Sequence, residues 1–306
     1  MKIGYFLPQM GTAASGEAMV KVAQKAEELG FETVWTTERL LFPEKPRTPY
    51  AGSPDGVLPD VYRIVYDPLD SLTWVAAQTK RIRLGTSVLD IPYYNPVMLA
   101  RRLTTIDVLS GGRLTVGMGL GWSEDEYEAS GASMRQKGKR ADEFLEVLHA
   151  IWKNEVAEYS GQYYKLARST ILPKPVQKPH PPVLLAAFSP GALSRIARLA
   201  DGWNPVGLPL DAVRGMWEGV RGMAKEAGRN PDDLKIVYRA NLMLTDEPLG
   251  EGRWPFSGSA AEIKQDVKAF SELNLWELTF DASFSSQGSS VGGFLSVMEQ
   301  VRETVG

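Results

Sequence analysis

Cysteine is absent from the 306 residues of the sequence, and histidine occurs only twice. Without cysteine the chain can form no disulfide, thiolate nucleophile, thiolate-bound metal or iron–sulfur cluster. The histidines, His149 and His180, stand in the segments EFLEVLHAIWK and QKPHPPV, so the sequence has neither an HxH pair nor an HExxH helix. We therefore expect no metal site, and both hydrolytic zinc chemistry and a Ser-His-Asp triad are disfavoured.

The sequence also lacks a strong charge of either sign and a long apolar run. Its 34 basic and 37 acidic residues give a formal net charge of −3, without a run of like charge that could follow a phosphate backbone or an anionic membrane. No stretch of about 18 apolar residues occurs, and the N-terminal segment MKIGYFLPQMG lacks the apolar core of a secretory signal. We expect a cytoplasmic protein that binds neither nucleic acid nor membranes.

The sequence does contain a repeated unit, in which helical apolar spacing is followed by a glycine or polar turn and a short β-branched run. In the first unit, Ala18, Val22 and Ala26 share one helical face, and Gly30 ends the helix before the run ETVWTTE. Eight strands are predicted, at residues 3–7, 32–38, 82–89, 113–119, 182–187, 202–207, 235–244 and 275–282.

Alternating strands and helices predict right-handed βαβ units and a parallel sheet. Eight such units in one domain, residues 1–306, favour the α/β class and a closed (β/α)8 TIM barrel. The segment FLPQMGTAASGE after the first strand lacks GxGxxG, which disfavours an open dinucleotide-binding sheet. Long insertions are expected after strands two, four and seven, at residues 39–66, 154–181 and 245–258, and the second contains the proline-rich and hence non-helical ILPKPVQKPHPP.

Active sites of such barrels lie at the carboxyl ends of the strands. The fourth predicted strand ends VGMGLGW, with Gly117, Gly119 and Gly121 at alternate positions and therefore on one face. Glycines weaken a strand, and they are accepted where a ligand or another backbone approaches closely. The spacing fits a flat ring lying on this face, and equally a bulge or tight packing inside the barrel mouth.

A candidate anion site follows the fifth predicted strand, in the segment FSPGALSR. Ser189 suits an N-cap and Pro190 the first helical position, so the free amides of Gly191 and Ala192 could bind an anion. Ordinary helix capping explains the same residues.

The second predicted strand ends in Thr37, Glu38 and Arg39. A carboxylate next to a guanidinium could form a salt bridge at the rim, or it could orient a substrate or the edge of a pyrimidine ring.

Other residues near strand ends are interpreted as structural. Ser123 and Glu126 have the spacing of a capping box, and Asn95 before a proline is read as a helix cap. Trp122 and Trp203, at the ends of strands four and six, belong either to the core or to a pocket wall.

Several of these stretches together resemble the luciferase-like monooxygenase superfamily, and within it the branch that uses the deazaflavin coenzyme F420. The motifs are LGFETVWTTERLLFP, IRLGTSVLDIPYYNPVMLARRLTTIDVLSGGRLTVGMGLGW, the EYEASG that follows, and PPVLLAAFSPGALSRIARLADGWNP. Their order and spacing carry the resemblance across essentially the whole chain.

The resemblance implies a bacterial luciferase-like barrel that binds a deazaflavin or a flavin. In that superfamily a non-proline cis peptide at the end of the third strand lies against the back of the cofactor ring, and it maps here to Ser87–Val88. The implied cofactor-binding residues are Thr37, Ser87, Val88, Gly117, Gly119, Gly121, Trp122, Ala187, Phe188, Ser189, Pro190 and Gly191, with the phosphate near Ser189. The candidate catalytic residues are Glu38 and Arg39.

Two departures from the superfamily narrow the expected function. Enzymes of the branch that oxidise sugar phosphates have a catalytic histidine where Arg39 stands and a glutamate where Trp122 stands, which disfavours that substrate class. Members resembling bacterial luciferase place an arginine for the FMN phosphate where this chain has Leu120, which favours coenzyme F420 over FMN.

The expected function is therefore hydride transfer between coenzyme F420 and a small organic substrate. Trp122, Trp203 and either Tyr62 or Tyr66 are candidate walls of the substrate pocket. The alternatives are an FMN-dependent monooxygenase on the same barrel, and a cofactor-binding barrel without turnover. A homodimer is expected because dimers are common in the superfamily.

Overall fold

The computed structural model describes residues 1–53 and 55–305, in which a closed barrel is surrounded by helices. Its strands are β1 (Lys2–Phe6), β2 (Thr33–Thr36), β3 (Arg83–Asp90), β4 (Leu114–Gly119), β5 (Val156–Ser160), β6 (Lys165–Thr170), β7 (Val183–Leu185), β8 (Gly202–Trp203), β9 (Lys235–Asn241), β10 (Met243–Leu244), β11 (Ser257–Gly258) and β12 (Glu277–Asp281). Its helices are α1 (Gly16–Glu28), α2 (Pro68–Gln78), α3 (Pro96–Ser110), α4 (Glu124–Ala129), α5 (Lys137–Lys153), α6 (Pro190–Leu199), α7 (Leu210–Glu226), α8 (Ala260–Ser271) and α9 (Val291–Val305).

The barrel contains β1, β2, β3, β4, β7, β8, β9 and β12 in that order, and β12 pairs with β1 to close it. Neighbouring strands of the barrel are parallel throughout. The predicted (β/α)8 fold is thus confirmed. Within the described residues, no helix has the length and apolar character needed to cross a bilayer.

Six of the eight predicted strands end earlier than expected, and in the second and the sixth the last predicted residues form the mouth of the barrel. The strand predicted at 32–38 ends at Thr36, and the next amide, that of Thr37, bonds to the side chain of Gln9. The strand predicted at 202–207 is only Gly202–Trp203, with one isolated bridge from Val206 to β9.

The insertions carry structure that the sequence analysis did not predict. The second insertion begins with an antiparallel hairpin of β5 and β6, and its proline-rich part contains cis bonds before Pro173 and Pro179. The strand predicted at 235–244 divides at Leu242, because Met243 leaves the barrel and pairs with β11 in the third insertion.

Helix starts are set by local side chains. Asn95 accepts hydrogen bonds from the amides of Val97 and Met98 at 3.0 and 3.3 Å, with Pro96 at the first helical position. The interpretation of Asn95 as a helix cap is therefore confirmed.

The interior of the barrel is filled below the mouth by Trp35. Its indole nitrogen donates to Glu277 at 2.6 Å, and its ring packs with Phe6, Leu184 and Val237. A Cβ atom at Gly85 would lie 2.3 Å from the indole ring, so only glycine fits beside it. This packed layer is the base on which the mouth of the barrel is built.

Candidate active site at the barrel mouth

The two candidate residues that follow β2, Thr37 and Glu38, lie on opposite sides of the barrel wall, because successive side chains of a strand alternate between its two faces. Thr33 and Trp35 face inward, where both hydrogen bond to Glu277, and Thr37 continues this series. The Gln9 side chain accepts from the Thr37 amide at 2.8 Å and donates to the Thr37 carbonyl at 2.7 Å. Thr37 is therefore fixed at the mouth, whereas Glu38 lies between the barrel and the helices.

Glu38 belongs to a partly buried group of acidic residues outside the barrel wall. Its carboxylate accepts from the amide of Asp90 at 2.6 Å and from the hydroxyl of Tyr94. Burial, and then the negative charge of Asp90, raise the pKa of Glu38 to about 8. Burial, and then the charge of Glu126, raise the pKa of Asp90 to about 7. Both acids can therefore hold a proton near neutral pH.

Of the two roles considered for Glu38 and Arg39, the salt bridge between them does not form, because Arg39 pairs with Glu126 instead. The Arg39 Nε donates to Glu126 Oε1 at 2.7 Å, and Nη2 donates to Oε2. Their side chains are only 5% and 2% exposed. The expected capping box is also wrong in one half: Ser123 accepts from the Glu126 amide at 3.5 Å, but the Glu126 carboxylate bonds to Arg39 and to the Leu40 amide.

Aromatic side chains join the insertion after β2 to the opposite side of the mouth. The Tyr62 ring lies 5.8 Å from Phe284, which follows β12, and the Tyr50 ring lies 5.5 Å from Trp122, which follows β4. The Arg39 guanidinium lies 4.7 Å from the Trp122 ring centre. Two of the four candidate pocket walls, Tyr62 and Trp122, thus border the mouth.

The other two candidate walls do not belong to this aromatic cluster. Trp203 is fully buried in the core, where its indole nitrogen donates to the carbonyl of Ala187 at 3.0 Å. Tyr66 is 44% exposed, and its carbonyl rather than its ring contacts the mouth, through Gln9.

Arg239 in β9 forms the floor of the mouth. Its Nη1 donates to the Ser87 carbonyl at 2.7 Å, its Nη2 to Asp281 at 2.6 Å and its Nε to Asn241 at 3.0 Å. The guanidinium also lies 4.4 Å from the Phe6 ring centre. The residue is 8% exposed, so this cation is held by protein groups rather than by solvent.

The Ser87–Val88 peptide bond is cis, as the resemblance implied, and the β3–β4 register shifts between Thr86 and Leu89. The Ser87 hydroxyl donates to Asn204 at 2.7 Å, and Asn204 in turn donates to the Val237 carbonyl at 2.8 Å.

The glycines of β4 adapt to this part of β3. A Cβ atom at Gly117 would lie 2.1 Å from the Thr86 carbonyl oxygen, and one at Gly119 would lie 2.8 Å from the Val88 side chain. At Gly121, φ is +62°, which is a left-handed conformation that favours glycine. Close packing therefore accounts for Gly117 and Gly119, and backbone conformation for Gly121, while contact of these glycines with a cofactor stays a prediction.

The start of α6 opens at the rim. Ser189 occupies the N-cap position as predicted, but its hydroxyl makes no capping hydrogen bond. Phe188, Ser189 and Pro190 are exposed, and a Cβ atom at Gly191 would meet no atom within 4 Å. The hydroxyl and the first amides of α6 are thus available to a ligand.

A narrow cleft separates the ends of β4 and β7. Leu120 and Ala187 line it together with Arg195, whose guanidinium is engaged by Asp142 and by the Gly138 carbonyl. In the part of the chain that the structure describes, no group of three or more acidic or histidine side chains is arranged to hold a metal ion.

The family model described as luciferase-like monooxygenase matches residues 1–248. The chain belongs to this family. An uncharacterized protein of Mycobacterium tuberculosis (strain ATCC 25618 / H37Rv) is 39% identical over 194 residues, which cover 63% of this chain and 68% of that protein. The oxygenase component of a flavin-dependent trigonelline monooxygenase from Acinetobacter baylyi is 27% identical over 274 residues, covering 89% of this chain and 67% of the relative.

Among solved structures, this luciferase-like chain is similar to an F420-dependent secondary alcohol dehydrogenase in complex with an F420-acetone adduct. The TM-score is 0.78 at 16% identity, and the match covers 100% of this chain and 99% of the other. The likeness supports the luciferase-like TIM barrel. The family match places the chain among luciferase-like oxidoreductases and monooxygenases.

Four residues that hold the mouth together are not among the site residues predicted from the sequence: Gln9, Asn204, Arg239 and Asp281. A signal for Arg239 and Asn241 exists, since they follow Val237 at alternate positions of β9 and therefore share its inward face. Their partners come from strands far away in the sequence, and no local pattern reveals them.

Proposed function

We propose that this protein is an F420-dependent oxidoreductase that transfers a hydride between the deazaflavin and a small organic substrate. The observation that carries the choice of cofactor is the cleft beside Leu120. The arginine that lines this cleft, Arg195, is already paired with Asp142, so it is not free to bind a phosphate.

The pairing of Arg195 bears on the choice between the two cofactors because their phosphates differ in charge. The phosphate of FMN is a monoester, whose charge near neutral pH is about −1.5 to −2. The phosphate of coenzyme F420 is a diester with a single negative charge. A helix N-terminus offers only about half a positive charge, which suits the diester better than a dianion without a guanidinium partner.

The start of α6 fits such a phosphate. The Ser189 hydroxyl has no capping partner, and the surroundings of Gly191 are open. These residues would hold the cofactor's phosphate with a hydroxyl and backbone amides, and Thr37, Ser87 and Val88 would border the ring.

When bound, the deazaflavin supplies a carbon centre that accepts or donates a hydride. The protein's part is to bind, to orient and to exclude water. Trp122 and Tyr62 cover the mouth with aromatic surface, and Arg39 is held against Trp122 by its pair with Glu126. Glu38 lies behind β2 and accepts from the Asp90 amide, so in this proposal it does not contact the substrate directly.

The FMN-dependent monooxygenase is the second candidate function. The 27% identity to the flavin-dependent trigonelline monooxygenase over most of this chain favours it. A reduced flavin reacts rapidly with oxygen, whereas a reduced deazaflavin reacts very slowly, so oxygen consumption separates the two functions. We also propose a homodimer, which sedimentation of the purified protein would test.

The function can be tested by mixing the protein with each reduced cofactor and a panel of small carbonyl and conjugated alkene compounds. Oxidation of reduced F420 that depends on substrate and proceeds without oxygen supports the proposal. Oxygen uptake coupled to substrate with reduced FMN contradicts it in favour of the monooxygenase. Binding of F420 without oxidation by any compound would instead favour a barrel that binds its cofactor without turnover.

A further inference from the structure

Arg239 connects five of the eight barrel strands at the level of the mouth. It belongs to β9, it bonds to Ser87 of β3 and Asp281 of β12, it lies over Phe6 of β1, and its Nη1 lies 3.4 Å from the Thr37 hydroxyl after β2.

Each nitrogen of the Arg239 guanidinium already donates to an acceptor within the protein. Nη1, Nη2 and Nε each have an oxygen acceptor within 3.0 Å, and Asp281 balances the charge. Asp281 is itself fixed, because its second oxygen accepts from the amide of Ser283 at 2.9 Å. A buried guanidinium whose three nitrogens all bond to the protein in this way serves to orient its partners, since little capacity remains for a substrate.

The partner that matters is the Ser87 carbonyl, which belongs to the Ser87–Val88 peptide. Its oxygen is held by Arg239, and the Ser87 side chain is held separately by Asn204. The two contacts come from β9 and from the end of β8, on the side of the barrel opposite to β3. They fix both the plane and the height of this peptide in the mouth.

We infer that Arg239, paired with Asp281, is the positioning residue that orients the Ser87–Val88 peptide and thereby the ring of the cofactor. The inference rests on the proposed function in one respect, that the cofactor ring lies against this peptide. It adds a role for two residues on strands distant from the cofactor's phosphate site.

The test compares Arg239→Lys with a matched control, Arg113→Lys. Lysine keeps the charge, but one ammonium on a flexible stem cannot replace the three bonds of the planar guanidinium. Arg113 is also buried, at 9% exposure, and it donates to the carbonyls of Ser110, Ile82 and Ala76 at the opposite end of β4. Both substitutions disrupt the hydrogen bonds of a buried arginine, but only those of Arg239 lie at the mouth.

Coenzyme F420 and, separately, FMN are titrated into the wild-type protein and both variants. We expect Arg239→Lys to raise the Kd of the cofactor that the wild type binds by about tenfold or more, and Arg113→Lys to leave it within about twofold. At saturation, the visible circular dichroism of the bound cofactor should change in Arg239→Lys alone, because the ring tilts. Asp281→Asn keeps the shape of its side chain and should give an intermediate Kd, which provides a second variant if Arg239→Lys does not fold.

The outcomes separate the inference from the proposed function. Wild-type affinity and an unchanged dichroism band in both Arg239→Lys and Asp281→Asn would overturn the inference alone. An equal loss of affinity in Arg113→Lys would also overturn it, because general destabilisation would then explain the result. If the wild type binds neither cofactor, the proposed function fails and the inference fails with it.

Discussion

Alanine substitutions at three glycines test whether β4 is shaped by β3 or by a ligand. At Gly117 the new Cβ would lie 2.1 Å from a backbone oxygen, that of Thr86, whereas such contacts are normally at least about 3 Å. Two paired strands would have to separate by nearly an ångström. We expect Gly117→Ala to lower the free energy of unfolding by about 3 kcal/mol, at the upper end of the usual cost of overpacking.

Gly119→Ala and Gly191→Ala provide smaller expected losses of stability with which Gly117→Ala can be compared. At Gly119 the nearest atom, 2.8 Å away, is a methyl group of Val88, which can move, so we expect a loss of about 1 kcal/mol. At Gly191 the new methyl group meets nothing within 4 Å, and we expect a change within about 0.5 kcal/mol. Gly191 is thus the matched control for the removal of a glycine.

Urea denaturation followed by circular dichroism would measure these differences, and cofactor titration would complement it. If the ring also lies beside Gly119, Gly119→Ala should weaken cofactor binding by more than its small loss of stability explains. A Gly117→Ala variant as stable as the wild type would refute the reasoning, because the Thr86 carbonyl would then not occupy the space beside Gly117.

Three further substitutions test the charged groups of the site. The raised pKa of Glu38, about 8, lets it keep its proton in the folded state, whereas the unfolded chain loses that proton near the usual pKa of 4.5, so stability should fall as pH rises between these values. Measured by urea denaturation across this range, Glu38→Gln should make the fall smaller, and Glu226→Gln, at an exposed position, should leave it unchanged. Arg39→Met leaves the buried Glu126 carboxylate without its cation and should lower the free energy of unfolding, measured by urea denaturation, by about 3 to 5 kcal/mol. The double variant Arg39→Met/Glu126→Gln should recover most of this loss, and a single variant as stable as the wild type would contradict the pairing. Ser189→Asp keeps a good N-cap but repels a phosphate, so it should weaken cofactor binding by about tenfold without loss of stability, and unchanged affinity would rule out the phosphate site.

The fold could be predicted from the sequence because its signals are local. Helix starts such as Asn95–Pro96 and the turn after α3 at Gly111 carry their information within a few residues. The alternation of strands and helices then determines the barrel, since few other topologies accommodate eight parallel units.

The arrangement of the site was harder to predict because it depends on contacts between distant strands. Glu38 and Arg39 are neighbours in the sequence, but alternation along β2 separates them, and Arg39 finds its partner 87 residues away. Arg239 meets Ser87 across 152 residues. The cis Ser87–Val88 peptide was expected only from the resemblance, since no pattern in the residues themselves indicates it.

The central claim is the identity of the cofactor, and a fluorescence titration of the purified protein with coenzyme F420 and, separately, with FMN tests it most directly. We predict micromolar or tighter binding of F420 and FMN binding at least about tenfold weaker, because the phosphate site near Ser189 has no free guanidinium in the adjoining cleft. Tighter binding of FMN than of F420 would contradict the account and assign the protein to the flavin-dependent monooxygenases of its family.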